Sequence, residues 1–214
     1  MNMHNLKLES MFTAQDRQRV AEAVAQAEAN TSGEIVPLIV NASDAYPHAD
    51  LVAGICGQLF FLIIGFWFFP LFSHWAITLL LAGGFAAGYL LSRQVPMVKR
   101  FLIGQRVAEH EVRQRAMQAF VEHNLAGTRD RTGILLMISL LEQRVQVLAD
   151  EGIHAKVPAG TWDAVVRLML ERIRQGAPID GLVAGIARCG EILSKEFPKK
   201  PDDINEISDK LLVE

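Results

Sequence analysis

A stretch of 42 residues without one charged side chain, residues 51–92, constrains the fold of this 214-residue chain more than any other feature. All 21 basic and 24 acidic residues lie outside it. About a quarter of the remaining residues are charged, as in an ordinary soluble domain. The sequence therefore predicts a soluble domain formed by residues 1–50 and 93–198, interrupted by a membrane insert and followed by a polar tail at residues 199–214.

The insert is too long for one membrane crossing. As a single helix it would extend roughly 63 Å, whereas the hydrocarbon core of a bilayer is about 30 Å thick. Residues 51–69 and 71–91 are two apolar runs, each long enough to cross once. We expect two transmembrane helices joined near residues 69–75. A buried hairpin in a soluble protein is the alternative, although core helices normally keep a polar stripe.

Small residues in both runs predict close packing of the two helices. Ala53 and Gly57 lie in the first run, and Gly84-x-x-x-Gly88 lies in the second. Such residues let helix backbones approach closely in lipid. We interpret them as the contact within the hairpin, with homodimerisation through Gly84 and Gly88 as the alternative.

The charges that flank the insert predict its orientation. Four basic residues and no acidic residue follow the second run, namely Arg93, Lys99, Arg100 and Arg106, whereas the connecting loop has no lysine or arginine. Basic residues collect on the cytoplasmic side of a membrane. Residues 1–50 also lack the basic start and short apolar run of a secretory signal. Both termini and the soluble domain are therefore expected in the cytoplasm.

Outside the insert, the sequence predicts an α/β fold with a small mixed sheet. Residues 34–40, 133–139 and 144–149 are short, apolar and bounded by turn residues, which is typical of strands. The first two should be parallel and the third antiparallel, and Pro37 favours a sheet edge or a bulge for the first. Helices are expected at residues 14–29, 103–125, 160–175 and 179–197, the first with a capping box from Thr13 and Asp16. Because the second strand is apolar on both faces, we expect a three-layer α/β/α sandwich.

This topology predicts a group of carboxylates at one edge of the sheet. Glu34 and Asp130 precede the parallel strands, and Asp150 and Glu151 follow the antiparallel one. The four acids should therefore share the edge opposite the membrane. At the other edge, where the first strand ends, the polar residues are Ser43, Asp44, Tyr46 and His48, which we interpret as a loop beside the membrane.

Four segments in order resemble one known family. They are Thr31-Ser-Gly-Glu-Ile-Val36, Asn41-Ala-Ser-Asp-Ala-Tyr46, Thr132-Gly-Ile-Leu-Leu-Met-Ile-Ser139 and Gln143-Arg-Val-Gln-Val-Leu-Ala-Asp-Glu-Gly-Ile153. Together they resemble a TPM domain, and the hairpin resembles the insertion of a bacterial subgroup. The resemblance implies a TPM-like fold and a multi-pass protein of the bacterial inner membrane. It implies the fold more firmly than a reaction.

The resemblance also implies a candidate metal site. Many TPM domains carry Asp-Asn-Gly before the second strand and Gly-Tyr-Gly after the third, near which a divalent metal binds. The corresponding residues here are Arg131-Thr132-Gly133 and Asp150-Glu151-Gly152. The oxygen ligands available to Ca²⁺ or Mg²⁺ are Glu34, Asp130, Asp150 and Glu151. The alternative for these four acids is a solvated loop edge.

Three functions follow as hypotheses. The first is a non-catalytic interaction or assembly factor for another membrane protein, with the bilayer bound through residues 51–92. The second is a metal-assisted, acid phosphatase-like hydrolase, as the resemblance implies, and the third is an accessory subunit of a transporter or channel. The net charge of −3 gives no support to nucleic-acid binding, which usually requires a strongly basic domain.

Overall fold

The computed structural model describes residues 11–68, 74–158, 160–201 and 204–214. The chain divides into two compact units, one formed by residues 1–43 and 109–214 and the other by residues 44–108. The elements in chain order are α1 (Ala14–Glu28), β1 (Glu34–Val40), α2 (Pro47–Phe68), α3 (His74–Gln94), α4 (Pro96–Leu102), α5 (Gln105–Glu122), a 3₁₀ turn (Leu125–Gly127), β2 (Gly133–Ser139), β3 (Arg144–Ala149), α6 (Glu151–His154), α7 (Thr161–Arg174), α8 (Pro178–Glu196) and β4 (Leu212–Val213).

The first unit begins with the capped helix that the sequence predicts. The Thr13 hydroxyl accepts a hydrogen bond from the Asp16 amide at 3.1 Å, and the Asp16 carboxylate accepts one from the Thr13 amide at 3.0 Å. This reciprocal pair satisfies two amides that have no partner within the helix. Val20 and Val24 then repeat at helical spacing and are fully buried. The predicted capping box is confirmed.

The sheet has the strand order β3-β2-β1-β4. β1 and β2 are parallel, with Glu34 opposite Gly133 and Val40 opposite Ser139. β2 and β3 are antiparallel. The three predicted strands and their directions are therefore confirmed. Gly133 must be a glycine at this place, because a Cβ atom there would lie 2.4 Å from the carbonyl oxygen of Leu125.

The fourth strand corrects two expectations. The sequence predicts a polar tail and places β1 at a sheet edge, but Leu212 and Val213 pair in parallel with Leu38 and Ile39 of β1. The amide of Asn41 continues this pairing by donating to the Glu214 carbonyl at 2.9 Å. β1 is thus an inner strand. Pro37 is compatible with this position because β4 contacts only the two residues that follow it.

Helices cover both faces of the sheet. On one face, Ile35, Ile39 and Ile134 pack in a core with buried residues of α1, α7 and α8. On the other face, Val36 and Leu38 pack with three residues of α5, namely Val112, Ala116 and Ala119. The predicted three-layer α/β/α sandwich is confirmed. The cover differs in detail from the expectation, since α7 and α8 both lie on the first face, whereas α5 and Leu125 of the 3₁₀ turn cover the second.

The second unit is a tightly packed helical hairpin. A Cβ atom on Gly88 would lie 2.2 Å from the Ala53 carbonyl oxygen, and one on Gly57 would lie 2.4 Å from the Gly84 carbonyl oxygen. The small residues of α2 and α3 therefore bring the two backbones into contact, as we interpreted them. Because Gly84 and Gly88 already contact α2, a homodimer through this face would require the hairpin to open. The predicted loop at residues 69–73 lies outside the described residues.

The ends of the hairpin are joined by a polar contact among three elements. The Ser92 hydroxyl of α3 donates to Asp50 Oδ1 of α2 at 2.7 Å, and Lys99 Nζ of α4 donates to Asp50 Oδ2 at 3.1 Å. The side chains of Asp50 and Lys99 are only 8% and 16% exposed. The hydrogen bond from Ser92 joins the end of α3 to the start of α2. The ion pair between Lys99 and Asp50 joins α4 to the same end of α2.

Candidate functional site

The candidate site lies at the edge of the sheet where β1 and β2 begin and β3 ends. Glu34 is the first residue of β1 and is almost fully buried. Its carboxylate accepts hydrogen bonds from the backbone amides of Glu206 and Ile207, at 3.2 and 3.3 Å. Glu34 therefore holds the C-terminal segment that leads to β4.

Asp130 occupies the loop before β2 and pairs with a lysine from the same C-terminal segment. Its Oδ2 accepts a hydrogen bond from Lys200 Nζ at 2.6 Å, and both side chains are partly exposed. The lysine comes from the far end of the chain. Asp130 thus has a cation as its partner in the folded protein.

Asp150 and Glu151 share one arginine. Asp150 is the N-cap of α6, and its Oδ1 accepts from the Glu151 amide at 2.7 Å. Arg131 Nε lies 3.0 Å from the buried Asp150 Oδ2, close enough for an ion pair but without hydrogen-bond geometry. The Arg131 guanidinium is also 3.4 Å from Glu151, which is exposed. Arg131 adopts a left-handed backbone with a φ of 56°, which is uncommon for a residue other than glycine.

These contacts do not fit a site for Ca²⁺ or Mg²⁺. Such ions need several oxygen ligands around one point. Here Glu34 accepts from backbone amides, Asp130 pairs with Lys200, and Asp150 with Glu151 faces Arg131. Within the described residues, no three histidine, cysteine, aspartate or glutamate side chains come together as metal ligands would. The positive charges at this edge come from Arg131 and Lys200 instead.

We predict that added Ca²⁺ or Mg²⁺ leaves the thermal stability of the purified chain unchanged. A metal that binds the folded state alone would raise the free energy of unfolding by about 2.7 kcal/mol at a hundredfold excess over its Kd. The measurement is the unfolding temperature across a metal titration. A saturable increase that disappears in Asp150→Asn would establish the metal site that the resemblance implies.

A cavity of about 290 Å³ opens beside Glu34. It is lined by Ala25, Glu28, Ala29, Thr31, Glu34, Lys199, Asn205 and Asp209. The Glu28 carboxyl accepts a hydrogen bond from the Ile35 amide at 2.7 Å. The pKa of Glu28 is raised to about 8, mainly because burial disfavours the charged carboxylate. The charges of Glu34 and Asp209 also raise this pKa, whereas the Ile35 amide and Lys199 lower it. Glu28 is therefore protonated in the folded protein at neutral pH.

This raised pKa predicts a pH-dependent stability. The pKa of Glu28 rises from an ordinary value of 4.5 to about 8 on folding, so the folded state holds an extra proton within this window. Stability therefore falls as the pH rises from 4.5 to 8. Glu28→Gln keeps an acceptor for the Ile35 amide and cannot ionise. We expect this variant to be more stable than the wild type above pH 8 and to lose part of the pH dependence.

The measurement for Glu28 is denaturant unfolding at the two ends of the pH window. Glu22→Gln is the matched control, because Glu22 lies exposed on the same helix. An unchanged pH dependence in Glu28→Gln would show that Glu28 ionises freely in the folded chain.

At the opposite edge of the sheet, hydrogen bonds connect residues that are far apart in the sequence. The Ser43 hydroxyl donates to Ser139 Oγ at 3.1 Å, the Ser139 hydroxyl donates to Glu142 Oε2, and Glu142 Oε1 accepts from the Ser43 amide at 2.8 Å. Ser139 and Glu142 are buried. These bonds fix the end of β1 to the β2–β3 turn. Of the predicted polar residues, Tyr46 packs edge-to-face on His48, and Asp44 accepts from the Tyr46 amide.

A family match covers most of the carboxylate edge, although not Glu34. Residues 95–192 match the TPM domain, a stretch that includes β2, β3, Asp130, Asp150 and Glu151. This match identifies a TPM domain within residues 95–192. Its fold is similar to the NMR structure of BA42 protein from the psychrophilic bacterium Bizionia argentinensis, with a TM-score of 0.60, 22% sequence identity and 95% of each chain covered. No curated protein matches the chain significantly.

Two features of the edge that carries the carboxylates could not be predicted from the sequence. The sequence groups the four acids correctly by topology, but it does not reveal that Lys200 and Arg131 pair with them. Glu28 was also not predicted, although it precedes the turn at Asn30-Thr31-Ser32-Gly33, where a helix end leads directly into β1. The short separation of Glu28 from Ile35 is the signal that could have placed its carboxyl at the start of the strand.

Proposed function

We propose that this protein is anchored in the bacterial inner membrane by the α2–α3 hairpin. Its TPM domain then acts on the cytoplasmic face as a non-catalytic interaction or assembly factor for another membrane protein. The observation that carries the proposal is the apolar surface of the hairpin. The other functions from the sequence, a phosphatase-like hydrolase and an accessory subunit of a transporter or channel, are tested beside it.

The hairpin exposes an apolar surface that water would not favour. Both helices are long and apolar enough to cross a membrane, yet only 28% and 11% of the residues in their apolar windows are buried within the structure. Phe66, Trp67 and Trp75 are each more than three-quarters exposed. A core helix of a soluble protein would bury such side chains, and a soluble monomer rarely exposes so large an apolar area. Lipid is the environment that covers it.

The charge distribution supports the cytoplasmic orientation. Arg93, Lys99, Arg100 and Arg106 follow α3 with no acidic residue among them. This excess of basic residues at the end of a short hairpin favours the cytoplasmic side. Residues 11–43 and 109–214 belong to one compact unit, which supports the proposal that both flanks of the hairpin lie on the same side of the membrane.

The pairing of the edge carboxylates supports a non-catalytic role. A general base or a metal ligand needs a carboxylate that is free to bind a proton or a cation. Asp130 and Asp150 instead face Lys200 and Arg131, and Glu34 accepts from two backbone amides. These contacts connect the segments of the domain to one another. A role in binding a partner through the domain surface is compatible with them.

Membrane anchoring is tested by extraction at alkaline pH. We expect the full chain to stay with the membrane pellet in carbonate and to be released by detergent. Release by carbonate alone would contradict the anchor. Partner binding is tested by crosslinking in native membranes: an assembly factor loses its partner when the surface of the TPM domain is changed, whereas an accessory subunit bound through the hairpin keeps it.

The hydrolase is tested with the purified chain and a phosphate ester. We expect no turnover above the buffer, with or without Mg²⁺. Turnover that is lost in Asp130→Ala or Asp150→Ala would replace the non-catalytic proposal with the hydrolase.

A further inference from the structure

A short helix directly after the hairpin exposes two large apolar side chains on one side. α4 begins after Val95 with Pro96 in its first turn, which suits a helix start because proline lacks an amide proton. Met97 and Phe101 lie four residues apart and therefore on the same side of this helix. They are 79% and 88% exposed, and no residue of α4 is fully buried.

Exposed apolar residues also precede α4 in the chain. Leu90, Leu91 and Val95, which precede α4 in the chain, are exposed large apolar residues as well. α4 is held next to the hairpin by the Lys99–Asp50 ion pair. Met97 and Phe101 thus lie at the level where the hairpin leaves the apolar region, because charged residues begin at Arg93.

The charged residues of the segment that contains α4 are all basic. Residues 93–108 contain Arg93, Lys99, Arg100 and Arg106 and no aspartate or glutamate. Lys99 pairs with Asp50, and Arg93 lies over the Tyr89 ring at 5.8 Å, whereas Arg100 and Arg106 are exposed. Apolar residues beside exposed arginines are typical of helices that lie in the interface of an anionic membrane. Basic residues next to a transmembrane helix are attracted to the negative headgroups of the cytoplasmic leaflet.

We propose that α4 is an interfacial helix that docks on anionic lipid, with Met97 and Phe101 at the boundary of the acyl chains and Arg100 and Arg106 on the lipid phosphates. This inference rests on the proposed membrane anchor, since α4 follows the hairpin directly. It adds a second, charge-dependent contact with the bilayer. The lipid composition would then control how α4 is held at the membrane surface.

The test places a fluorescent label at Met97→Cys in the full chain, reconstituted in vesicles with quencher-bearing lipids. Cys56 is exposed on the hairpin and is replaced by serine, whereas Cys189 is buried. Two positions serve as controls: Ile63→Cys in the exposed face of α2, and Gln26→Cys on the exposed face of α1. The vesicles contain phosphatidylcholine alone or with about one third phosphatidylglycerol, because an anionic lipid supplies the negative surface.

We expect strong quenching at Ile63 in both vesicles and none at Gln26. At Met97 we expect quenching by shallow quenchers, which increases with phosphatidylglycerol. Arg100→Gln combined with Arg106→Gln should abolish that increase, as should high salt, because salt screens exposed charges. Phe101→Ser should reduce the quenching in both vesicles.

Each contrary result identifies a different failure. An unquenched Ile63 would mean that the hairpin is not in lipid, and the membrane anchor would fail together with the inference about α4. A quenched Ile63 with an unquenched Met97 would overturn the inference alone, and protection of Met97 by a copurifying protein would assign the surface to that protein. Quenching of Met97 that is equal in both vesicles would overturn the role of anionic lipid.

Discussion

Gly88→Ala is expected to separate the two helices of the hairpin and to destabilise it by about 3 kcal/mol, the upper part of the usual range for overpacking. The added Cβ would lie 2.2 Å from the carbonyl oxygen of Ala53 and 2.9 Å from its carbonyl carbon. Backbone atoms cannot rotate away as the end of a side chain can, so α2 and α3 must move apart. The close contact that small residues allow in lipid is then lost.

The same helix provides a matched control for this prediction. A Cβ on Gly83 would have no neighbour within 4 Å. Gly83→Ala adds the same methyl group to α3 without a clash, and alanine favours a helix over glycine by up to about 1 kcal/mol. The measurement is the unfolding midpoint of the purified chain in mixed micelles with increasing SDS. Equal midpoints for Gly88→Ala and Gly83→Ala would contradict the close contact of the two helices.

Asp50→Ala has the second large expected effect, a destabilisation of about 3–5 kcal/mol, which is typical when one partner of a buried ion pair is removed. Lys99 would keep its charge at a site that is only 16% exposed, and the Ser92 hydroxyl would lose its acceptor. The contact that joins α2, α3 and α4 would be lost. We therefore expect Asp50→Ala to unfold at a lower midpoint than the wild type, and α4 to lose its fixed position next to the hairpin.

Two variants separate the ion pair from the general effect of losing an aspartate. Asp180 forms an ion pair with Arg19 at 2.7 Å, but both side chains are nearly half exposed. Asp180→Ala should therefore change the stability by no more than about 1 kcal/mol. Asp50→Leu combined with Lys99→Met removes both charges and should recover most of the stability that Asp50→Ala loses. A double variant as unstable as Asp50→Ala would show that the charge of Lys99 is not the cause.

The inner part of the TPM domain could be predicted from the sequence because burial determines it. β2 is apolar on both faces, so it had to be a covered strand, and its length is bounded by Gly133 and the turn after Ser139. The capping box at Thr13 acts over three residues and is visible in the sequence. Local hydrogen bonding and the pattern of apolar residues are sufficient to predict such elements.

The partners of β1 and of the edge carboxylates could not be predicted, because they come from distant segments. β4 contains two paired residues, too few for a strand pattern, and it is placed by the contacts of Glu34 with the amides of Glu206 and Ile207. The order and direction of the strands place the four acids at one edge of the sheet, but each acid has a partner there. The cations at this edge could not be assigned, since any of the exposed lysines and arginines could have reached them.

The orientation of the hairpin is the central claim, and cysteine labelling in intact cells tests it most directly. Cys56 is first replaced by serine, and single cysteines are placed at Gln26, Ser73 and Lys195. A membrane-impermeant maleimide applied from outside should label Ser73→Cys, between the two helices, and should reach Gln26→Cys and Lys195→Cys only after the inner membrane is opened. Labelling of Gln26→Cys and Lys195→Cys from opposite sides, or of both in intact cells, would contradict a cytoplasmic TPM domain anchored by two transmembrane helices.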